Sequence, residues 1–296
     1  MKVLVTGGSG FLGSHIADAS TKAGHSVAVF DRRPSPWLRS GQTMIVGDVL
    51  DSAAIRRAME GCDAVYHLAA VADIAEAMDH PRRTVEVNVI GTLNLLEAAR
   101  DLKLKRFILA SSVYVYSNQG SFYRTTKQAC EQLVSDYQER FGLEFTVLRF
   151  GSLYGPRADH TNYIRTLLSQ ALAERHVEHY GTGDEVREYI HVLDAATMSV
   201  DVLAPEFANQ FIHLTGRERM SSREMLTMIR EILGKDVAIS FKAADQEGHY
   251  LQTPYNYTPR LGRRLTRSTY IDLGLGLLEC LKEIDQGGHG GQVPKT

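Results

Sequence analysis

Short apolar runs alternate with longer amphipathic ones along the chain. Residues 2–6 (KVLVT) form the first apolar run, whose length and β-branched content predict a strand. Residues 11–23 carry apolar positions at helical spacing and predict a helix. The alternation continues with strands at 26–30 and 44–46, a helix at 53–59 and a strand at 64–68. A long helix follows Pro81 to about Lys103, then a strand at 106–110, a helix at 123–141 and a strand at 145–150. Residues 162–173 and 221–233 read as further helices, the second with Ser221 as N-cap and Glu224 completing a capping box. Strand–helix alternation at this spacing predicts an α/β fold built on a doubly wound parallel sheet.

The polar punctuation falls at the ends of the strands. Gly7, Gly10 and Gly13 lie in TGGSGFLG, between the first strand and the first helix. That order is the context of a dinucleotide fingerprint, in which glycine lets the backbone approach a pyrophosphate and a helix N-terminus supplies donors. Asp31 ends the second strand, 18 residues past Gly13, near the spacing at which a carboxylate reaches an adenosine ribose. Its charge would repel a 2′-phosphate and favours NAD, although Arg32 and Arg33 beside it are residues such a phosphate attracts. Asp48, Ala69 and Ser112 fall at later strand ends, where small molecules bind in such sheets.

Tyr123 and Lys127 lie four residues apart on a predicted helix, hence on one face. An ammonium beside a phenol favours the phenolate and lowers its pKa, making a base suited to an alcohol that loses hydride. The rest of the composition narrows little. The 296 residues are 44% hydrophobic and 23% charged, with a net charge of −2, which gives no reason to invoke nucleic acid or a membrane surface. No apolar run is long enough to span a membrane, and with the glycine motif at residue 7 no signal peptide is expected. Cys62, Cys130 and Cys280 are scattered, so no metal site is expected and a reducing cytoplasm is.

With these motifs in place, the chain resembles the extended short-chain dehydrogenase/reductases, in particular the NAD-dependent nucleotide-sugar epimerase/dehydratase branch, over nearly its whole length. The resemblance rests on TGGSGFLG, Asp31, Gly47-Asp48-Val49, HLAA at 67–70, Asn88 with Gly91-Thr92, SVYVY at 112–116, Tyr123-x-x-x-Lys127, Leu148-Arg149, YGPR at 154–157 and REYIHV at 187–192. It implies a Rossmann-type sheet with a smaller C-terminal α/β substrate lobe. It assigns Ser112, Tyr123 and Lys127 to catalysis. For NAD it implies Gly7, Gly10, Phe11, Leu12, Gly13, Asp31, Arg32, Asp48, Val49, Leu68, Ala69, Ala70 and Asn88, together with Tyr123 and Lys127. For the nucleotide-diphosphate sugar it implies Ser112, Asn162, Arg187 and Tyr250, the guanidinium offering paired donors to phosphate. The expected division is a cofactor domain at 1–155 with 186–215 returning to it, a substrate lobe at 156–185 and 216–285, and a flexible tail at 286–296. A homodimer through the helices near 82–103 and 123–141 is expected. Asp194 is expected to cap the helix that follows it, and His191 to pack in its strand.

The departures from the family pattern bear on the reaction. Ser112 and Tyr123 are only 11 residues apart, where the family has a longer segment folded over the substrate. Val113 and Tyr114 stand where dehydratases and decarboxylases place a carboxylate after the serine, which argues against water elimination. Gly151-Ser152-Leu153 follows the Leu-Arg strand where an asparagine is usual. The second diphosphate arginine has no counterpart in register, with Lys242 or Arg260 as substitutes. His249-Tyr250 and Thr253-Pro254-Tyr255 put groups on a loop that could grip a base or sugar, or simply pack. The reading is a 4-epimerase working by transient oxidation. A nucleotide-sugar dehydrogenase or 4-ketoreductase with the same triad is the alternative, and a non-catalytic NAD sensor or scaffold a third.

Overall fold

The computed structural model describes residues 1–242, apart from 217, 218 and 235, together with His249. The first half runs β1 (Lys2–Thr6), α1 (Phe11–Lys22), β2 (Ser26–Asp31), β3 (Gln42–Val46), α2 (Ser52–Met59), β4 (Ala64–His67) and α3 (Ile74–Asp79). Then come α4 (Pro81–Val85), a π-helical turn (Glu86–Ile90), α5 (Gly91–Asp101), β5 (Arg106–Ser112), a 3₁₀ turn (Val113–Tyr116), α6 (Ser121–Phe141) and β6 (Phe145–Phe150). The remainder comprises β7 (Ser152–Tyr154), α7 (Tyr163–Glu174), β8 (His176–Tyr180), β9 (Val186–His191), α8 (Val192–Asp201), a 3₁₀ turn (Pro205–Phe207), β10 (Gln210–Leu214), β11 (Arg219–Ser221), α9 (Ser222–Leu233) and β12 (Ala238–Lys242).

Seven strands form one parallel sheet in the order β10-β6-β5-β4-β1-β2-β3. This is the Rossmann-type doubly wound sheet, with its switch point between β1 and β4. Strand alternation feeds two cores. Leu4, Val65, Phe107 and Leu109 point to the side of α2, α5 and α6, while Val3, Val5, Ala64, Tyr66 and Ile108 point to the side of α1 and α8. Val3, Leu4, Val5 and Phe107 are fully buried, as expected of strands covered on both faces.

Two small sheets complete the described fold: β11-β9-β7 and β12-β8. The latter carries its own core, with Leu167 and Ala171 of α7 against Val177 and against Met225, Leu226 and Ile229 of α9. Residues Met1–Thr258 form one compact unit, so the expected boundaries at 155 and 185 fall within it. Residues 210–214 join the large sheet, whereas 186–191 lie in the β11-β9-β7 sheet. Tyr250, Thr253-Pro254-Tyr255, Arg260, Cys280 and the tail at 286–296 lie outside the described residues.

Three local differences from the sequence expectation matter. The long helix after Pro81 is broken by the π turn around Asn88. β5 runs on to Ser112 rather than ending at Ala110, because Ser111 and Ser112 still pair with Arg149 and Phe150. The helix expected to be capped by Asp194 begins earlier: His191 is the N-cap and its Nδ1 accepts from the Leu193 amide at 3.3 Å. Asp194 instead sits in the first turn, where its charge suits the helix dipole. The Ser221–Glu224 capping box forms as expected.

Candidate functional site

A cleft of about 580 Å³ opens along the carboxyl ends of the sheet strands, a size typical of ligand sites. Parallel strands deliver Gly7, Asp31, Asp48, Leu68, Ser112 and Gly151 to its walls in turn. The glycine loop is shaped by close packing. Gly7 has φ +70°, and a Cβ there would meet the Ala69 amide nitrogen at 2.7 Å. A Cβ on Gly13 would lie 2.3 Å from the Gly7 carbonyl oxygen. At Gly10 only that same oxygen comes near, at 3.2 Å, so the missing side chain leaves room towards the cleft. The start of α1 lies behind, with Phe11 and Leu12 in the lining.

Asp31 is held in place by the loop it faces. Its carboxylate accepts from the Ser9 amide at 3.1 Å and the Arg33 amide at 3.2 Å. Arg32 lines the cleft beside it and is exposed. Asp48 accepts from the Leu50 amide at 3.0 Å and lies 3.6 Å from Arg83. The buried Val49 has its carbonyl fixed by the Asn94 amide group at 3.0 Å. Leu68, Ala69 and Ala70 line the opposite wall. Glycines at the close approaches, an anchored acid at the β2 end and apolar residues beyond form a cradle that fits NAD.

Ser112, Tyr123 and Lys127 meet at the other end of the cleft. The Ser112 hydroxyl hydrogen-bonds to the Tyr123 phenol. Lys127 is buried, and its Nζ donates to the Ala110 carbonyl at 2.7 Å, lying 5.8 Å from the centre of the Tyr123 ring. The expected lowering of the Tyr123 pKa by Lys127 does not appear in the protein alone. Burial pushes the phenol up to about 12, against the opposing hydrogen bond from Ser112. Burial likewise lowers the pKa of Lys127, with Glu131 opposing. Removing both groups from water outweighs their attraction at this separation. The ammonium is directed instead at the end of β5, at the cleft wall.

Asn88 corrects a second expectation, because it does not line the cleft. Its Oδ1 accepts from the Val71 amide at 2.8 Å, and its Nδ2 donates to the Val71 carbonyl and to Thr126 Oγ1, each at 3.0 Å. It therefore fixes the loop after β4 to α6 from behind. The π turn aims it there, a common use of such turns near functional sites. Asn162 does line the cleft, but its side chain caps α7, accepting from the Arg165 amide at 3.1 Å, and donates to the Leu153 carbonyl at 2.8 Å. Arg187 is buried in β9, outside the cleft lining, although its charge lowers the pKa of His249, which does line it. Lys242 is exposed and forms an ion pair with Glu178 at 2.5 Å. Among the described residues no group of three or more metal-ligating side chains forms.

The sequence reading missed several lining residues: Tyr114, Asp73, Asp159 and Thr161. Tyr114 alone carried a signal, two positions after Ser112. The others arrive from loops, which have no periodicity to read.

The family model described as the NAD dependent epimerase/dehydratase family matches residues 3–210. The uncharacterized UDP-glucose epimerase YtcB of Bacillus subtilis (strain 168) is 28% identical over 268 residues, covering 81% of this chain and 85% of that protein. UDP-glucuronic acid decarboxylase 1 of Xenopus tropicalis is 28% identical over 287 residues, covering 86% of this chain and 65% of that one. The crystal structure of UDP-glucuronic acid 4-epimerase from Bacillus cereus, in complex with UDP-glucuronic acid and NAD, superposes with a TM-score of 0.79 at 26% identity, covering 88% of this chain and 95% of that one. No helix among the described residues is long and apolar enough to cross a membrane. With its glycine cradle, its anchored Asp31 and its Ser–Tyr–Lys cluster in one cleft, the chain belongs to the NAD dependent epimerase/dehydratase family and is an NAD-dependent enzyme of the extended short-chain dehydrogenase/reductase type.

Proposed function

We propose that the protein is a nucleotide-sugar 4-epimerase. The observation that carries this reading is the convergence of Ser112, Tyr123 and Lys127 on the cleft end away from Asp31. NAD, held by the glycine loop and Asp31, would supply the hydride acceptor and donor for carbon 4 of the sugar. The Tyr123 phenolate takes the proton of the 4-hydroxyl, and the Ser112 hydroxyl steadies the reacting oxygen as it becomes a carbonyl. Lys127, buried beside Tyr123, would hold the nicotinamide ribose. After the 4-keto sugar turns, Tyr123 returns the proton and the configuration at carbon 4 is inverted, with no net oxidation. Elimination of water finds less support, since buried Val113 and the phenol of Tyr114 follow Ser112 where an acid would be required.

Asn162, Arg187 and Tyr250 are the proposed sugar-nucleotide contacts. The proposed assembly is a cytoplasmic homodimer joined through the helices from α4 to α5 and α6, along which Val85 of α4, Ile90 of the π turn and Phe122 and Phe141 of α6 are exposed. The test is proton NMR of purified protein incubated with UDP-hexoses. The expected result is conversion to the 4-epimer, with Tyr123→Phe slower by about 10³-fold, within the usual range for loss of a general acid–base group. Stoichiometric NADH release would make the enzyme a net dehydrogenase. No epimer from the wild type, with Tyr123→Phe indistinguishable from it, overturns the reading.

A further inference from the structure

The short turn between Ser112 and Tyr123 leaves one side of the reacting end without the segment expected to cover it. The structure fills that side from two distant parts of the chain. Tyr114 lines the cleft, half-buried, with its ring edge towards Tyr123 at 6.4 Å between centroids and 75° between planes. Its hydroxyl lies 2.7 Å from Nδ1 of His249, 135 residues further along, and the two rings stand edge to face at 6.1 Å. His249 lines the same cleft. The turn itself clamps Tyr114 from behind. Gly120 has φ +97°, and a Cβ there would come within 2.7 Å of the Tyr114 ring, so only glycine lets the turn close down on it.

We propose that Tyr114 and His249 act as a hydrogen-bonded pair that grips the sugar beside Tyr123, as positioning residues that replace the missing wall. This rests on the nucleotide-sugar reading above. In the tautomer where the Tyr114 hydroxyl donates to Nδ1, the neutral imidazole carries its proton on Nε2 and can offer it to a sugar oxygen. The neutral form fits the surroundings. Burial lowers the His249 pKa, the charge of Arg187 lowers it further, and Asp73 opposes them. A phenol and a neutral imidazole together recognise hydroxyls without demanding a charge. Held this way, the sugar keeps carbon 4 at Tyr123 while its far edge remains free to turn.

The test separates sugar from nucleotide. Binding of UDP-glucose and of UDP to the NAD-loaded protein is measured by calorimetry for the wild type, Tyr114→Phe, His249→Ala and the double variant. Tyr114→Phe keeps the ring against Tyr123 and removes only the hydroxyl. The expected result is a rise of about tenfold in the ratio of the UDP-glucose Kd to the UDP Kd in each single variant, the usual order for one lost hydrogen bond. The double variant should show no further rise, because the two act as one unit. An unchanged ratio, an equal weakening of UDP, fully additive effects, or a wild type that holds neither probe overturns the proposal. A shifted ratio without any epimer formation by the wild type retains the pair and overturns only the epimerase reading.

Discussion

At the scale of single residues, burial governs the ionisable groups of this protein. His67 is the clearest case. It is buried between Thr6 and Thr92, whose hydroxyls lie 2.8 Å from Nδ1 and 3.0 Å from Nε2. Burial and the nearby Lys127 lower its pKa to about 3. The unfolded chain binds the proton near the ordinary value of about 6.5, so it takes up more protons than the folded chain between the two values. Stability from this group is complete above about pH 6.5 and is lost as pH falls towards 3, by roughly 4–5 kcal/mol in all. Urea unfolding at pH 7 and pH 4 should show a steeper loss for the wild type than for His67→Gln. Equal losses in the two proteins would remove His67 from the acid response. Tyr123 is controlled in the same way, since burial pushes its phenol up to about 12.

At the scale of elements, the π turn makes Asn88 a clamp between the β4 loop and α6. Three hydrogen bonds, two to Val71 and one to Thr126, depend on one amide. Asn88→Ala should cost about 2–3 kcal/mol, since it leaves buried backbone groups unpaired, and should weaken NAD binding about tenfold by loosening Leu68 to Ala70. Melting temperature and NAD titration together check this. Weaker NAD binding without any loss of stability would mean that Asn88 meets the cofactor directly. The sequence placed Asn88 within one long helix, which the structure breaks at the π turn. It could not give its direction, because one extra residue in the turn rotates everything that follows.

At the scale of the whole molecule, a buried ion pair ties the catalytic helix to the sheet. Glu131, one turn beyond Lys127 on α6, accepts from Ser111 at 2.5 Å and from both arms of Arg149, at 3.0 and 2.6 Å. Arg149 is stacked between Tyr116 and Phe211, each ring centre 4.7 Å away. One guanidinium thereby joins β6 to α6, to the turn after β5 and to the edge strand β10. Arg149→Met should destabilise the fold by about 3–5 kcal/mol, because it leaves the Glu131 carboxylate buried without its partner. Adding Glu131→Gln should recover part of that loss in denaturant titrations. A single variant as stable as the wild type would mean that the pair contributes nothing net.

Sequence alone determined the strand–helix alternation, the glycine cradle, Asp31 and the Ser112, Tyr123 and Lys127 set. The alternation, the glycine turn, Asp31 and the Tyr123–Lys127 spacing are encoded by local periodicity, strand-end position or spacing within one turn, whereas Ser112 entered through its strand end and the family resemblance. Tertiary structure alone decided how those residues are used. It turned Asn88 behind the β4 loop, made His191 rather than Asp194 the helix cap, and kept Arg187 out of the cleft lining. It also directed Lys127 to the Ala110 carbonyl and raised the pKa of Tyr123 instead of lowering it, because desolvation depends on everything packed around a group. The same holds for Tyr114 and His249, whose pairing across 135 residues leaves no trace in local spacing. Backbone pattern is a short-range property of the chain, whereas side-chain direction, burial and charge are set by neighbours that only folding brings together.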